Sequence, residues 1–190
     1  MKIDIKEQIL NAVVRLLLED KEPEKITVRD IVAEANVQLS MINYYFGSKD
    51  ELMYQAVGVL RDKTAWDWLS NKAKKQDAYK QLREMLISLC EMSIKYSQYM
   101  KFAVEYELVK AEIITPQYIV PLIREFSDNK RSEISIRITA YQIISILQLI
   151  FIRHQDVSKY LGIDVLEYDN MVEIIDLILS EHFPNQKGAK

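Results

Sequence analysis

The sequence predicts an all-α protein in which three short N-terminal helices precede a larger domain of longer helices. Apolar residues recur at spacings of three and four along most of the 190 residues, which is the period of an amphipathic helix. Only four glycines and four prolines are present, so few tight turns are available. A chain of this length is long enough to bury a sizeable core.

The composition is that of a water-soluble protein. Hydrophobic residues make up 49% and charged residues 28% of the chain, and the formal net charge of −3 means that binding to a polyanion requires a local surface. The single cysteine, Cys90, permits no intramolecular disulfide, which is typical of a reducing compartment. The N-terminus lacks a signal-peptide pattern. Residues 138–152, the most apolar run, are fewer than the roughly 20 that a membrane span needs, so we expect a cytoplasmic protein.

The first two helices are predicted from an apolar stripe and a capping pattern. The first helix should end near Asp20. Thr27, with Asp30 three residues later, begins a second helix of about two turns. Asn36 tolerates the left-handed backbone conformation in which such a helix ends. The stripe of the first helix consists of Ile5, Ile9, Val13, Leu16 and Leu17.

A third short helix is predicted from about Gln38 to Phe46. Gly47 ends it, and Ser48 with Glu51 forms a capping box that begins the next helix. On a helical wheel with about 100° per residue, Ile42 faces the core and five residues point outward or flank the outward side. These five are Ser40, Met41, Asn43, Tyr44 and Tyr45. Hydroxyls reach phosphates, asparagine bonds adenine and methionine contacts a thymine methyl, so this face is suited to duplex DNA.

The remainder is predicted to consist of longer helices. The helix that begins at Ser48 runs toward Ser70, residues 72–76 form a polar break, and helices with stripes at residues 82–96 and 102–113 follow. Residues 117–126 form a short segment interrupted by proline. Residues 130–153 begin with a strand-like alternation, but their length favours a helix, and a final amphipathic helix follows at residues 168–182.

Residues 26–52, ITVRDIVAEANVQLSMINYYFGSKDEL, resemble the DNA-binding domain of the TetR family of bacterial transcriptional repressors. The resemblance rests on Thr27, the turn at residues 31–37, the aromatic end of the third helix at 43–46, and the start of the next helix at 48–52. It implies a helix-turn-helix whose second helix enters the major groove. It also implies DNA contacts from Thr27, from the five outward residues of the third helix, and from Lys49.

Several positions depart from the family pattern, so the resemblance does not predict the operator sequence. Asn36 replaces a turn glycine, and Gln38 stands where a capping serine is common. Leu39 replaces a frequent lysine, Asn43 a tyrosine and Tyr45 a histidine. Residues 1–50 hold seven basic and nine acidic residues, so the predicted surface is not basic throughout.

The resemblance implies a division into a DNA-binding domain at residues 1–47 and a helical ligand-binding and dimerisation domain at 48–183. Residues 184–190 are predicted to be a disordered tail. The family's dimer interface is a four-helix arrangement, which implies a homodimer through residues of about 130–153 and 168–182. Such a dimer presents two recognition helices to a near-palindromic double-stranded operator.

The resemblance also implies a small effector bound among the middle helices, and their side chains favour a hydrophobic or aromatic one, which the sequence does not name. The candidate ligand-binding residues are Trp66, Met92, Tyr96, Phe102, Glu105 and Tyr106. Singly, each aromatic is better explained as core and Glu105 as part of a solvated face. The two histidines lack metal-ligand spacing and no glycine-rich phosphate loop is present, so nothing predicts an enzyme, a metal or a cofactor. The alternative is a helical small-molecule or protein-binding module of the same fold that does not bind an operator.

Overall fold

The computed structural model describes residues 4–19, 25–71, 77–127 and 131–184, with only the main chain described for residues 61, 63–71 and 98. The predicted polar break at 72–76 and the predicted tail after residue 184 lie outside the described residues. Every regular element within the described ranges is helical, which confirms the predicted all-α class. The α-helices are α1 (Ile5–Leu18), α2 (Val28–Ala35), α3 (Leu39–Phe46), α4 (Lys49–Asn71), α5 (Ala78–Lys95), α6 (Ser97–Val109), α7 (Val120–Phe126), α8 (Glu133–Ile152), α9 (His154–Leu161) and α10 (Tyr168–His182).

Helices α1 to α3 and the start of α4 enclose the N-terminal core. Its fully buried side chains include Ile9, Ile31, Ile42 and Leu52, one from each of the four helices. The turn between α2 and α3 is fixed at Asn36, whose φ of 50° and ψ of 51° place it in the left-handed region, as predicted. The Gln8 side-chain amide donates to the Ala35 carbonyl at the end of α2 (2.7 Å), which fastens α1 to this turn.

Both predicted helix starts carry a side-chain cap. At α2 the box is reciprocal: the Thr27 hydroxyl accepts from the Asp30 N–H (3.2 Å), and the Asp30 carboxylate accepts from the Thr27 N–H (2.8 Å). At α4 the Ser48 hydroxyl accepts from the Glu51 N–H (3.1 Å). The Glu51 carboxylate instead accepts from Gln55 and from Tyr106 of α6. The Glu51 side chain, which was predicted to complete the Ser48 capping box, therefore joins α4 to α6.

The cap at Thr27 gives a direct stability prediction. Replacing Thr27 with alanine removes the acceptor for the Asp30 N–H and is expected to lower the free energy of unfolding by about 1 kcal/mol. The Thr27→Ser variant keeps a hydroxyl and should stay within a few tenths of a kcal/mol of the parent protein. Urea denaturation monitored by circular dichroism measures both. An alanine variant as stable as the parent would mean that the cap contributes nothing.

The second core lies among α5, α7, α8 and α10, with Leu82, Ile123, Ile143 and Ile175 fully buried there. Residues 130–153 were predicted to be helical despite the strand-like start, and α8 confirms this within the described range. The helix α9 was not predicted. The predicted stripe at residues 102–113 extends too far, because α6 ends at Val109, and the Glu107 carboxylate then accepts from the N–H groups of Ile114 and Thr115.

The long helix α8 is apolar on more faces than its own domain covers. It is long and apolar enough to span a membrane, with a mean hydropathy of 1.6, yet only 28% of that segment is buried. Core and interface helices of water-soluble proteins have the same composition, so this property alone does not distinguish between them. The exposed apolar residues on α8 and α10 include Ile134, Ile138, Tyr141, Ile146, Leu149 and Leu177. A surface of this kind on a soluble protein is typical of an interaction site.

Candidate nucleic-acid interface and internal cavity

The outward face of α3 is formed as the helical wheel predicts. Ile42 is 1% exposed and anchors the helix, whereas Tyr44 is 80% exposed. Ser40 and Asn43 are exposed as well, while Met41 and Tyr45 are partly buried at the edges of this face. The Tyr44 and Tyr45 rings meet edge-to-face, with centroids 5.0 Å apart. The outward face therefore offers a hydroxyl, an amide and a phenol without an intervening carboxylate.

The two flanking helix starts lie on either side of α3 in the chain. Thr27 is exposed at the N-terminus of α2, and Lys49 is the first residue of α4. Helix N-termini carry free N–H groups and a positive partial charge, both of which favour phosphate oxygens. The Thr27 hydroxyl already bonds to Asp30 in the cap. A phosphate bound at the start of α2 would therefore accept hydrogen bonds from backbone N–H groups as well as contact this side chain. Leu39, which stands where the family often has a lysine, is 56% exposed on the same helix and adds an apolar side chain there.

An apolar cavity lies in the C-terminal domain, with a volume of about 80 Å³. Helices α5, α6, α8 and α10 each contribute to its wall. Representative lining residues are Leu86, Cys90, Ala103, Val104, Leu147 and Met171. We call this space the inner cavity. Its few polar lining groups are Ser93, Glu107, Thr115 and Gln148, together with the thiol of Cys90.

Residues 6–56 match the family model described as bacterial regulatory proteins, tetR family. This N-terminal segment, 51 of the 190 residues, matches the tetR family. A probable helix-turn-helix transcriptional regulator of Bacillus subtilis, YttP, is 24% identical over 175 residues, which cover 85% of this chain and 84% of that protein. The predicted helix-turn-helix at residues 26–52 lies within the segment that matches the family.

Solved TetR-family repressors have the same fold over nearly the whole chain. The FadR repressor of Thermus thermophilus, in complex with lauroyl-CoA, superposes with a TM-score of 0.73 at 14% identity, covering 97% of this chain and 98% of that one. The AlkX repressor of a Dietzia strain superposes with a TM-score of 0.65 at 12% identity, with the same coverage. At such low identities the likeness concerns the fold alone. It confirms an N-terminal helix-turn-helix followed by a helical C-terminal domain.

The predicted ligand residues mostly lie away from the inner cavity. Met92 lines it, whereas Tyr96, Phe102 and Tyr106 pack against the N-terminal core. Glu105 is exposed, and the side chain of Trp66 lies outside the described residues. The helical period grouped the aromatics of α6 correctly. The helical period did not reveal that this face of α6 packs against α1 and α4 while another face lines the inner cavity.

Helix α6 connects the inner cavity to the DNA-binding domain. Its Tyr99 hydroxyl donates to the Leu17 carbonyl at the end of α1. Its Tyr106 hydroxyl donates to the Glu51 carboxylate in the first turn of α4 (3.0 Å), and the Tyr106 ring lies 5.2 Å from that of Tyr54. From its other face, Val104 lines the cavity. A displacement of α6 therefore acts on both α1 and α4.

The pKa and the labelling rate of the Cys90 thiol depend on its burial in the wall of the inner cavity. Burial, and to a smaller extent the Glu91 carboxylate, raises the pKa of this thiol to about 12. A native pKa above the unfolded value of about 8.5 means that this group's contribution to stability is complete below about pH 8.5 and is lost as the pH rises toward 12. At pH 8 we expect an aromatic disulfide reagent to label the native thiol at least about 100-fold more slowly than the urea-unfolded thiol. Equal rates would contradict the burial of this thiol, and the Cys90→Ser variant, which lacks a thiol, gives the background signal.

Proposed function

We propose that this protein is a TetR-family regulator and acts as a ligand-responsive repressor. It binds a near-palindromic operator as a homodimer in the cytoplasm. The observation that carries the proposal is the position of α6, which lines the inner cavity on one face and bonds to α1 and α4 on the other. A ligand that displaces α6 changes the orientation of the DNA-binding domain. Because two half-sites in the major groove require a separation of about 34–36 Å, a modest pivot disfavours the DNA-bound form.

The DNA contacts proposed are those predicted from the sequence. Asn43 and Tyr44 read bases in the major groove, and Ser40, Met41 and Tyr45 support them from the same helix. Thr27 and Lys49 bind the phosphate backbone at the starts of α2 and α4. The exposure of Ser40, Asn43 and Tyr44 supports this assignment, because these three side chains do not belong to the core. Met41 and Tyr45 lie at the edges of the same face and also pack against the core.

The homodimer is proposed to form through α8 and α10. Ile134 is 76% exposed and Leu177 is 57% exposed, although both are large aliphatic residues. The two helices fall within the residue ranges predicted for dimerisation, and burying them in a two-fold interface removes this apolar surface from water. A two-fold dimer places its recognition helices on symmetric half-sites, which is why the operator is proposed to be near-palindromic.

The effector is proposed to be a small hydrophobic or aromatic molecule. The wall of the inner cavity is largely aliphatic, which suits an apolar ligand with few polar anchors. The similar Thermus repressor was crystallised with lauroyl-CoA, which carries an alkyl chain. That comparison supports an effector with an apolar part and does not extend further, because the two sequences are only 14% identical.

Salt-dependent binding to duplex DNA tests the proposal against a helical binding module without operator binding. A repressor should bind a selected duplex with an affinity that falls steeply with salt concentration, because phosphate contacts release counterions. A compound that raises the melting temperature of the protein should then weaken this binding, commonly by about 5- to 150-fold. A protein that binds such compounds but no duplex at low salt would instead be the binding module.

The bond from Tyr106 to Glu51 should transmit part of the coupling. In the Tyr106→Phe variant the stacked ring remains and only the hydroxyl is lost. We expect the ratio of operator affinities without and with the stabilising compound to fall several-fold, while each ligand alone binds nearly as before. Parallel titrations of operator and compound measure this ratio, with Tyr160→Phe, an exposed tyrosine of α9, as the matched control. An unchanged ratio would remove this bond from the pathway.

A further inference from the structure

A second space, which we call the outer groove, adjoins the inner cavity. It lies between the end of α6, the loop that follows and the outer side of α8, and its volume is about 240 Å³. Exposed Val109 and Ile113 form part of its wall together with Tyr141. Glu107 and Gln148 line both spaces. These two side chains therefore form a polar septum between the largely apolar inner cavity and the more polar outer groove.

Neither space alone suits a typical effector. Ligand pockets commonly measure about 300–1,000 Å³, whereas the inner cavity has about 80 Å³ and the outer groove about 240 Å³. Together they reach the lower end of that range. A ligand that occupies both must pass between Glu107 and Gln148, which places one part of the ligand beside the septum.

The septum presents a fixed acceptor. Glu107 is 8% exposed, and its carboxylate accepts from the Thr115 N–H (2.7 Å), the Thr115 hydroxyl (2.7 Å) and the Ile114 N–H (3.1 Å). These bonds come from the loop that follows α6, so they hold the carboxylate in place. The remaining described bond comes across from α8, where the Gln148 amide donates at 3.4 Å. That distance is long for a hydrogen bond, so Gln148 is the donor most readily displaced.

Resting on the proposed function, we infer that the effector is an elongated amphipathic molecule that threads the septum and donates an N–H or O–H to Glu107 in place of Gln148. Its alkyl part lies in the inner cavity, its donor group lies at the septum, and any group beyond the donor extends into the outer groove. A buried carboxylate attracts an ammonium or hydroxyl donor and repels a carboxylate. The ligand class is therefore an apolar chain with an amine, amide or hydroxyl group, and free fatty acids are excluded.

Three ligands of equal chain length test this inference on the full-length protein. Decylamine and 1-decanol should bind at least tenfold more tightly than decanoate by isothermal titration calorimetry at pH 7. In the Glu107→Gln variant an amide donor replaces one carboxylate oxygen, so the preference for decylamine over decanoate should fall at least tenfold. Glu105→Gln makes the same charge change at an exposed position of α6 and should retain the preference. Equal binding of decanoate and decylamine by the parent protein, or no binding of any of the three, overturns the inference.

A second variant leaves Glu107 and its loop bonds intact. Gln148→Ala removes the competing donor, so decylamine should bind several-fold more tightly while decanoate does not. Unchanged decylamine affinity in this variant contradicts the displacement of Gln148. Operator binding, measured separately, distinguishes the two proposals. Selective decylamine binding without any effect on operator affinity supports the septum and contradicts ligand control. If decanoate releases the operator and decylamine and 1-decanol do not, ligand control is supported and the proposed role of the septum is contradicted.

Discussion

The Ile138→Glu variant is expected to be a monomer that has lost most of its affinity for the operator. Ile138 is 52% exposed on the apolar outer face of α8, in the N-terminal half of the helix, so its own domain does not require it. In the proposed dimer the same side chain is buried against the partner subunit. An unpaired carboxylate there is costly, because burying a charge without a partner is strongly unfavourable.

The loss of operator binding follows from the loss of the second half-site. A dimer binds both half-sites as one unit, and a monomer forfeits an avidity gain on the order of 100-fold or more. Light scattering at micromolar concentration measures the assembly, and titration of a labelled operator measures the affinity. Tyr160→Glu is the matched control, since Tyr160 is 87% exposed on α9 outside the predicted interface. A dimeric Ile138→Glu protein, or a monomeric parent protein, would contradict the proposed interface.

Substitutions on the outward face of α3 are expected to weaken specific recognition without unfolding the protein. Replacing Asn43 with alanine should cost about 1–3 kcal/mol of operator binding and relax the preference at one base pair in each half-site. Tyr44→Ala should weaken operator binding as well. Because Tyr44 is 80% exposed, its loss should leave the melting temperature nearly unchanged, so the effect belongs to the contact with DNA.

Lys49→Ala is the comparison that separates base reading from phosphate binding. It should weaken binding to all duplexes by a similar factor and reduce the salt dependence, whereas Asn43→Ala should leave the salt dependence unchanged. Tyr160→Ala, which removes an exposed tyrosine far from α3 in the chain, is the control for nonspecific effects. Unchanged operator affinity in both Asn43→Ala and Lys49→Ala would reject this surface as the DNA interface.

The N-terminal helices were predictable because their signals are local. The Thr27 cap, the left-handed Asn36 and the burial of Ile42 each depend on residues within a few positions. The boundary at residue 47 between the two predicted domains stays a prediction, although Ser48 does cap α4. The DNA contacts also remain predictions, because exposure on α3 is compatible with them without requiring them.

The cavity was less predictable because it depends on contacts between distant parts of the chain. Periodicity grouped Phe102 and Tyr106 on one face of α6, but only tertiary packing determines that this face meets the N-terminal core. Glu107 gave no sequence signal that separates it from Glu105. It is buried because Ile114 and Thr115 fold back to supply hydrogen-bond donors. Those donors follow directly after the stripe at residues 102–113, which was predicted to continue the helix beyond its observed end at Val109.

Selection of random duplexes by the purified full-length protein tests the central claim most directly, because one experiment reports sequence specificity and symmetry together. A ligand-responsive dimeric repressor should enrich one near-palindromic sequence, with half-site centres about one helical turn, roughly 34–36 Å, apart or a multiple of it. The enriched duplex should be released when salt is raised. Enrichment of no sequence, or of a single asymmetric motif without a second half-site, would contradict a dimeric operator-binding repressor.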